Sequence, residues 1–201
     1  MKKILLIITL LIASLHSLAD DHPQYLEVSV GISNVSFTET ETIVVDDTGT
    51  RADPQSGTVA IPSLDFKYKI KSGDKIDYFV RATAPLTSTS GDTYFSTATG
   101  LNFYFDAGVA KTEYNQDGTF IKLTPKLRYY AGVELGLGYL VFETPEVRRN
   151  DVLFNIGAHA GAKYTFNDKW SFRAAVHGAR GAGSNTNTTV IQIFGGVGYS
   201  F

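Results

Sequence analysis

Two histidines, His159 and His177, carry the side chain best suited to metal binding or proton transfer near neutral pH. If Asn167-Asp168-Lys169 forms a turn, strand pairing sets His159 directly opposite His177 and Lys163 opposite Arg173. Glu134 and Arg128 share the same alternation phase as one another on an earlier strand. Zinc sites normally take three or four protein ligands, and no third ligand near the two histidines is evident in the sequence. They are therefore expected to be hydrogen-bonded neighbours, with no metal and no cofactor. Glu134 is expected to pair with Lys163, Arg173 or Arg128, because a buried acid without a partner is costly.

The elements that must hold these residues are strands, since the apolar positions recur with period two. Leu26, Val28, Val30 and Ile32 alternate with Glu27, Ser29, Gly31 and Ser33. Leu64, Phe66, Tyr68 and Ile70 oppose Ser63, Asp65, Lys67 and Lys69, and Ile76 to Ala84 oppose Asp77, Phe79, Arg81 and Thr83. A fourth strand carries Leu101 to Val109 in odd phase, with a break possible near Asp106 to Ala110, and a fifth runs unbroken from Ile121 to Val141. Asn115-Gln116-Asp117-Gly118 is a hairpin signal between them. Phe154 to Phe166, Trp170 to Val176 and Ile191 to Phe201 complete the set.

The second face is what identifies the environment. It carries Gly132, Gly136, Gly138, Gly157, Gly161, Gly196 and Gly198, together with Glu27, Asp65, Lys67, Asp77, Arg81, Arg128, Glu134, Lys163 and Arg173. Glycine weakens a solvent-facing strand, so a soluble β-sandwich fits poorly. It suits a lumen too narrow for large side chains. The expected fold is all-β, an eight-stranded antiparallel up-and-down transmembrane β-barrel. The lumen charges are expected to form a salt-bridge network that fills it; the alternative is a cation-rich pore favouring anions. Tyr164, Phe166, Trp170 and Phe172 beside a turn form an expected aromatic girdle.

Lys2 and Lys3 precede a mainly apolar run from Ile4 to Leu15, and Ser17-Leu18-Ala19 offers small residues for cleavage. Residues 1–19 read as a secretory signal peptide, leaving residues 20–201 as one barrel domain. With no cysteine, neither a disulfide nor a lipidated cysteine anchors the chain. A net charge of −2 argues against a nucleic-acid binder.

The stretches LRYYAGVELGLGYLVF, FNIGAHAGAKYTFNDKWSFRAAVHGAR and VIQIFGGVGYSF resemble the small outer membrane β-barrel superfamily, whose members include the outer membrane protein A transmembrane domain and the Ail and outer membrane protein X group. The resemblance is best from about residue 124 to 201. It implies insertion by the barrel-assembly machinery, with Tyr199 and Phe201 as the assembly signal. Counting strands back from the terminus places short periplasmic turns near residues 72, 116 and 168, and outer loops at about 38–57, 87–93, 143–151 and 181–188, the first much the longest of these loops.

Some such barrels modify lipid A. The deacylase group carries His-x-Ser, where this chain has His177-Gly178-Ala179, and the residues after Ala19 are too few for the palmitoyltransferases' amphipathic helix. An enzyme is therefore not expected. The expected role is structural or surface-binding through the outer loops, with a narrow channel for small anionic solutes as the alternative. The expected partners are outer membrane lipids, lipopolysaccharide and an unidentified surface ligand, and the chain is expected to be monomeric. Arg148 and Arg149 are candidate contacts for lipopolysaccharide phosphates, and the first outer loop is acidic, with Glu39, Glu41, Asp46, Asp47 and Asp53 against Arg51.

Overall fold

A computed structural model describes residues 24–40, 43–44, 51–52, 56–72, 75–87, 91–106, 112–114, 120–122, 126–143, 148–167 and 169–201. The expected signal peptide, the acidic residues Glu41, Asp46, Asp47 and Asp53, and the Asn115–Gly118 segment lie outside them. Among these described residues twelve strands follow one another: β1 (Gln24–Glu39), β2 (Ile43–Val44), β3 (Arg51–Ala52), β4 (Ser56–Ser72), β5 (Ile76–Pro85), β6 (Thr93–Asp106), β7 (Thr112–Tyr114), β8 (Phe120–Lys122), β9 (Leu127–Glu143), β10 (Arg148–Thr165), β11 (Trp170–Ala182) and β12 (Thr186–Ser200). Eight close into a barrel in the order β1-β12-β11-β10-β9-β6-β5-β4, while β2-β3 and β7-β8 are separate two-stranded ribbons.

The register defines the size of the barrel. Stepping from partner to partner, Gln24 leads to Ile70, Tyr78, Leu101, Val133, Ala158, Gly178, Ile191 and then Asn34. The circuit returns to β1 ten residues beyond its start. That stagger over eight strands tilts them by roughly 40° and leaves a backbone radius of roughly 8 Å. Such an interior has room for side chains and little else.

Alternation does the rest. Val133, Leu135, Leu137, Ala160, Val176, Ile191 and Ile193 are exposed on the outside, whereas Glu27, Asp65, Arg81, Glu134, Arg173 and His177 are buried within. At the end carrying the chain termini, the expected girdle is present. Tyr164 meets Phe166 at 5.3 Å between centroids, and Trp170 meets Tyr199 at 4.9 Å. The turn below it is held by Asn167, whose Oδ1 accepts from the Lys169 and Trp170 amides at 3.0 and 2.8 Å. The outward face of a closed barrel is the only face that can meet lipid, and an apolar band above an aromatic ring is what a bilayer requires.

Three connections differ from expectation. The reversals after β9 and β11 span only residues 144–147 and 183–185, because the strands climb further than a bilayer demands. The last is tightened by Asp151, whose carboxylate accepts from the Asn185 amide at 3.1 Å and the Ser184 hydroxyl at 3.1 Å. The expected unbroken fifth strand is divided into β8 and β9, where the sequence places Pro125, which has no N–H for a ladder. Thr112–Lys122 and Asp106–Arg128 nevertheless share one register, so β7 and β8 prolong the β6–β9 hairpin away from the barrel. This connection, residues 107–126, lies at the end carrying the chain termini, where a short turn near residue 116 was expected; among the connections at the opposite end the first, residues 40–55, is the longest, as expected.

Candidate functional site

The inward strand faces converge on one chain of ions. Arg81 Nη1 donates to Glu134 Oε1 and Oε2 at 2.9 and 3.0 Å, and Arg81 Nε to Asp65 Oδ1 at 3.0 Å. The other Asp65 oxygen accepts from Arg173 Nη2 at 2.8 Å, and Arg173 Nη1 donates to Glu27 Oε2 at 2.7 Å. Glu27 in turn pairs with Lys69, which lies 3.7 Å from Asp77 and donates to Tyr104 OH at 3.1 Å. Each member is nearly sealed from solvent. An alternating string of this kind answers the desolvation problem, since Asp65 and Glu27 each meet two cations and Glu134 meets Arg81 twice.

Glu134 does not pair with Lys163, Arg173 or Arg128. Its strand neighbours are Gly100 and Gly157, and the inward neighbour of Arg81 is Ala98. These small residues clear a path between β9 and β5. Arg128 and Lys163 sit nearer the termini, where Arg128 covers the Tyr104 ring at 4.4 Å and Lys163 the Tyr25 ring at 4.0 Å. Lys67 lies 4.0 Å over Phe79, and its Nζ has no hydrogen-bond partner among the described residues.

His159 and His177 are direct strand partners, as the turn position predicts, with rings stacked at 4.9 Å. His159 Nε2 bonds Asn102 Oδ1 at 2.7 Å. The sequence reading missed their third neighbour: Glu134 Oε2 lies 3.5 Å from His159 Nδ1 and 3.3 Å from His177 Nδ1. These groups resemble a three-ligand cation cradle. Arg81 Nη1, however, contacts both Glu134 and His177 Nδ1, so a guanidinium already places positive charge there. The opposite neighbour of His159 is Gly132, where a Cβ would fall 2.6 Å from the imidazole Nε2. A Cβ there would also strike the Leu101 carbonyl, so both the neighbouring strand and the ring require this glycine.

A second feature went unread in the sequence. Above the ions, Gln192 Nε2 donates to Ser33 Oγ, itself 2.9 Å from Ser63 Oγ. Beyond this belt the lumen turns apolar: Val35, Ile61, Leu140, Phe142, Leu153 and Val190 are buried together, and Phe37 stacks on Phe142 at 4.3 Å. The lumen is thus polar in its lower part and closed by a hydrophobic plug at the far end, rather than polar throughout. The cavity between the two layers, bounded by Arg81, Tyr94, Glu134 and Asn155, holds only about 10 Å³, room for about one water. The signal was the even phase of β9, which changes from Gly136 and Gly138 to Leu140 and Phe142.

No protein-family model matches the chain, and no curated protein sequence matches it significantly. Solved structures do. Neisserial surface protein A aligns over 88% of this chain and 97% of its own, at 13% identity and a TM-score of 0.57. The fold is that of the small outer membrane β-barrels. Outer membrane protein OprG from Pseudomonas aeruginosa aligns over 89% of this chain and 95% of its own, at 13% identity and a TM-score of 0.52. At such identities the likeness concerns the fold, and the barrel's chemistry must be read from its own residues. The side chains of Arg148 and Arg149 lie outside the described ones. Tyr199 and Phe201 sit in the girdle, with centroids 5.2 Å apart, and Phe201 N donates to Gln24 O at 3.1 Å across the β1–β12 seam.

Proposed function

We propose that this chain is an integral outer membrane protein with a sealed lumen, acting as a structural element and binding surface on the outer side. The supporting observation is the double closure of the lumen. An ionic layer centred on Arg81 lies beneath a plug built around Leu140 and Phe142. The exposed apolar wall and the shared fold support the membrane placement. Among the described lumen residues no group is arranged as a nucleophile beside a base that a substrate could reach, since His159 and His177 are both buried. Ligand recognition then falls to the outer rim and wall.

Planar-bilayer recording of the purified protein tests this reading. The expected result is the absence of steady conductance. A stable, anion-selective current would replace the sealed barrel with the narrow channel.

A further inference from the structure

An open groove of about 420 Å³ runs along the outside of the barrel where β10, β11 and β12 meet, lined by Ile156, Ala158, Gly178, Arg180, Thr189 and Ile191. Gly178 is its floor. Its partners are Ala158 and Ile191, and a Cβ built on it meets nothing within 4 Å. Unlike the lumen glycines, this one relieves no clash; its missing side chain makes the depression.

Arg180 stands at the head of the groove, between Ile156 and Thr189. It is exposed, and it is the only charged residue on the outward face of the barrel strands among the described side chains. It has no ion pair or hydrogen bond among the described residues. Arg180 lies ten residues along β11 from Trp170 of the girdle. At about 3.3 Å per residue and a tilt of roughly 40°, that is about 25 Å along the axis. The apolar band of such barrels is about 25 Å tall. Arg180 therefore lies level with the headgroups of the outer leaflet, and the groove descends from it into hydrocarbon.

A guanidinium at that depth matches a phosphate, which it can grip through two N–H groups. The groove below offers aliphatic walls and no polar side chain except Thr189. We propose that Arg180 and Gly178 form a lateral seat for an outer-leaflet glycolipid of the lipopolysaccharide type, with its phosphate on Arg180 and one acyl chain over Gly178. The seat rests on the outer membrane placement proposed above and is independent of whether the lumen conducts.

The test uses the full chain recovered from membranes, in phosphatidylcholine bicelles, titrated with bisphosphorylated lipid A and followed by amide shifts and retained lipid in native mass spectrometry. The expected outcome is saturable binding of one lipid A that moves the Gly178 and Arg180 amides. Arg180→Gln and Gly178→Leu should each weaken it about tenfold, with the heat-modifiable folded form retained. Gly178→Val replaces Leu if folding suffers. Dephosphorylated lipid A should bind the parent as weakly as intact lipid A binds Arg180→Gln. Parent-like binding by either variant overturns the seat. So does competition by inorganic phosphate alone, or equal affinity for phosphatidylglycerol, which would indicate simple charge adsorption. If the chain never enters the membrane fraction, the placement fails instead, and that outcome is recognisable before any titration.

Discussion

Glu134 and Arg81 clasp each other from β9 and β5 over an intervening strand, β6, whose inward residues at that level are Ala98 and Gly100. Their contact is possible only because the strand between them has almost no side chains to offer.

Removing the hub should therefore be worse than softening its partner. Arg81→Met leaves Glu134 without its principal cation and Asp65 with Arg173 alone. The expected loss is about 3–5 kcal/mol in urea unfolding, typical of a buried pair broken on one side. Glu134→Gln keeps an acceptor for Arg81 and should cost less, about 1–3 kcal/mol. Equal losses from both would show that Arg81 is not the centre.

The two closures should act in series. Phe142→Ala with Leu153→Ala empties part of the plug, at about 2–5 kcal/mol for each truncation. Bilayer recordings should stay silent, since the ions below remain. Adding Arg81→Ser should produce brief openings. Steady current from the double variant alone would mean that the ionic layer is no barrier.

Ala174 and Ala160 lie mid-band on the lipid face. Ala174→Arg should cost about 2–4 kcal/mol of folding free energy in lipid vesicles. Gly136→Arg, on the inward side, should instead fail by overfilling the lumen, and its defect should not respond to bilayer thickness. Quenchers confined to lipid should reach odd positions on β9 and even ones on β10 and β11. The reverse pattern would show the phase to be wrong.

Asp151 sits above the membrane band at the rim. Burial raises its carboxyl pKa, but the Asn185 amide and the Ser184 hydroxyl and amide outweigh this and hold it below the ordinary value. A depressed carboxylate stabilises the fold above its unfolded-state pKa and loses that contribution as pH falls through the folded value. Amide exchange at Ser184 and Asn185, measured relative to the intrinsic rate at each pH, should thus be slow at neutral pH and speed up below the normal carboxylate range. Asp151→Ala should show the fast exchange at every pH. Exchange in the parent that ignores acid would remove this role.

Phe201 closes the seam with β1 and packs on Tyr199. Deleting it should lower the amount of heat-modifiable barrel in the membrane fraction. Undiminished levels would show that neither its hydrogen bond nor its ring matters for assembly.

Much of this was legible beforehand because alternation is a strict code in a barrel. One turn, at Asn167, was enough to pair His159 with His177 and Lys163 with Arg173. The partner of Glu134 was not legible. Neighbours within a hairpin can be read from register, but Arg81 reaches Glu134 over the whole width of β6, and that depends on which intervening residues are small. The plug was missed for a related reason. Apolar residues on both faces of upper β9 look like ordinary strand residues until closure shows that Leu140 and Phe142 point at one another's neighbours. The extra reach of β10 and β11 follows from Asp151 gripping a turn 33 or 34 residues away, which no local pattern encodes.

The bond between Arg173 and Glu27 joins residues 146 positions apart. Its consequence concerns timing. The first strand made carries an acid that meets Lys69 early but its second cation, Arg173, only near the end of synthesis, so a partly assembled sheet would leave this buried ionic string incomplete in hydrocarbon. Long loops closed before any reward slow folding. Entry into the bilayer and sealing of the final seam are then expected to be a single concerted event, with half-inserted sheets too unstable to accumulate.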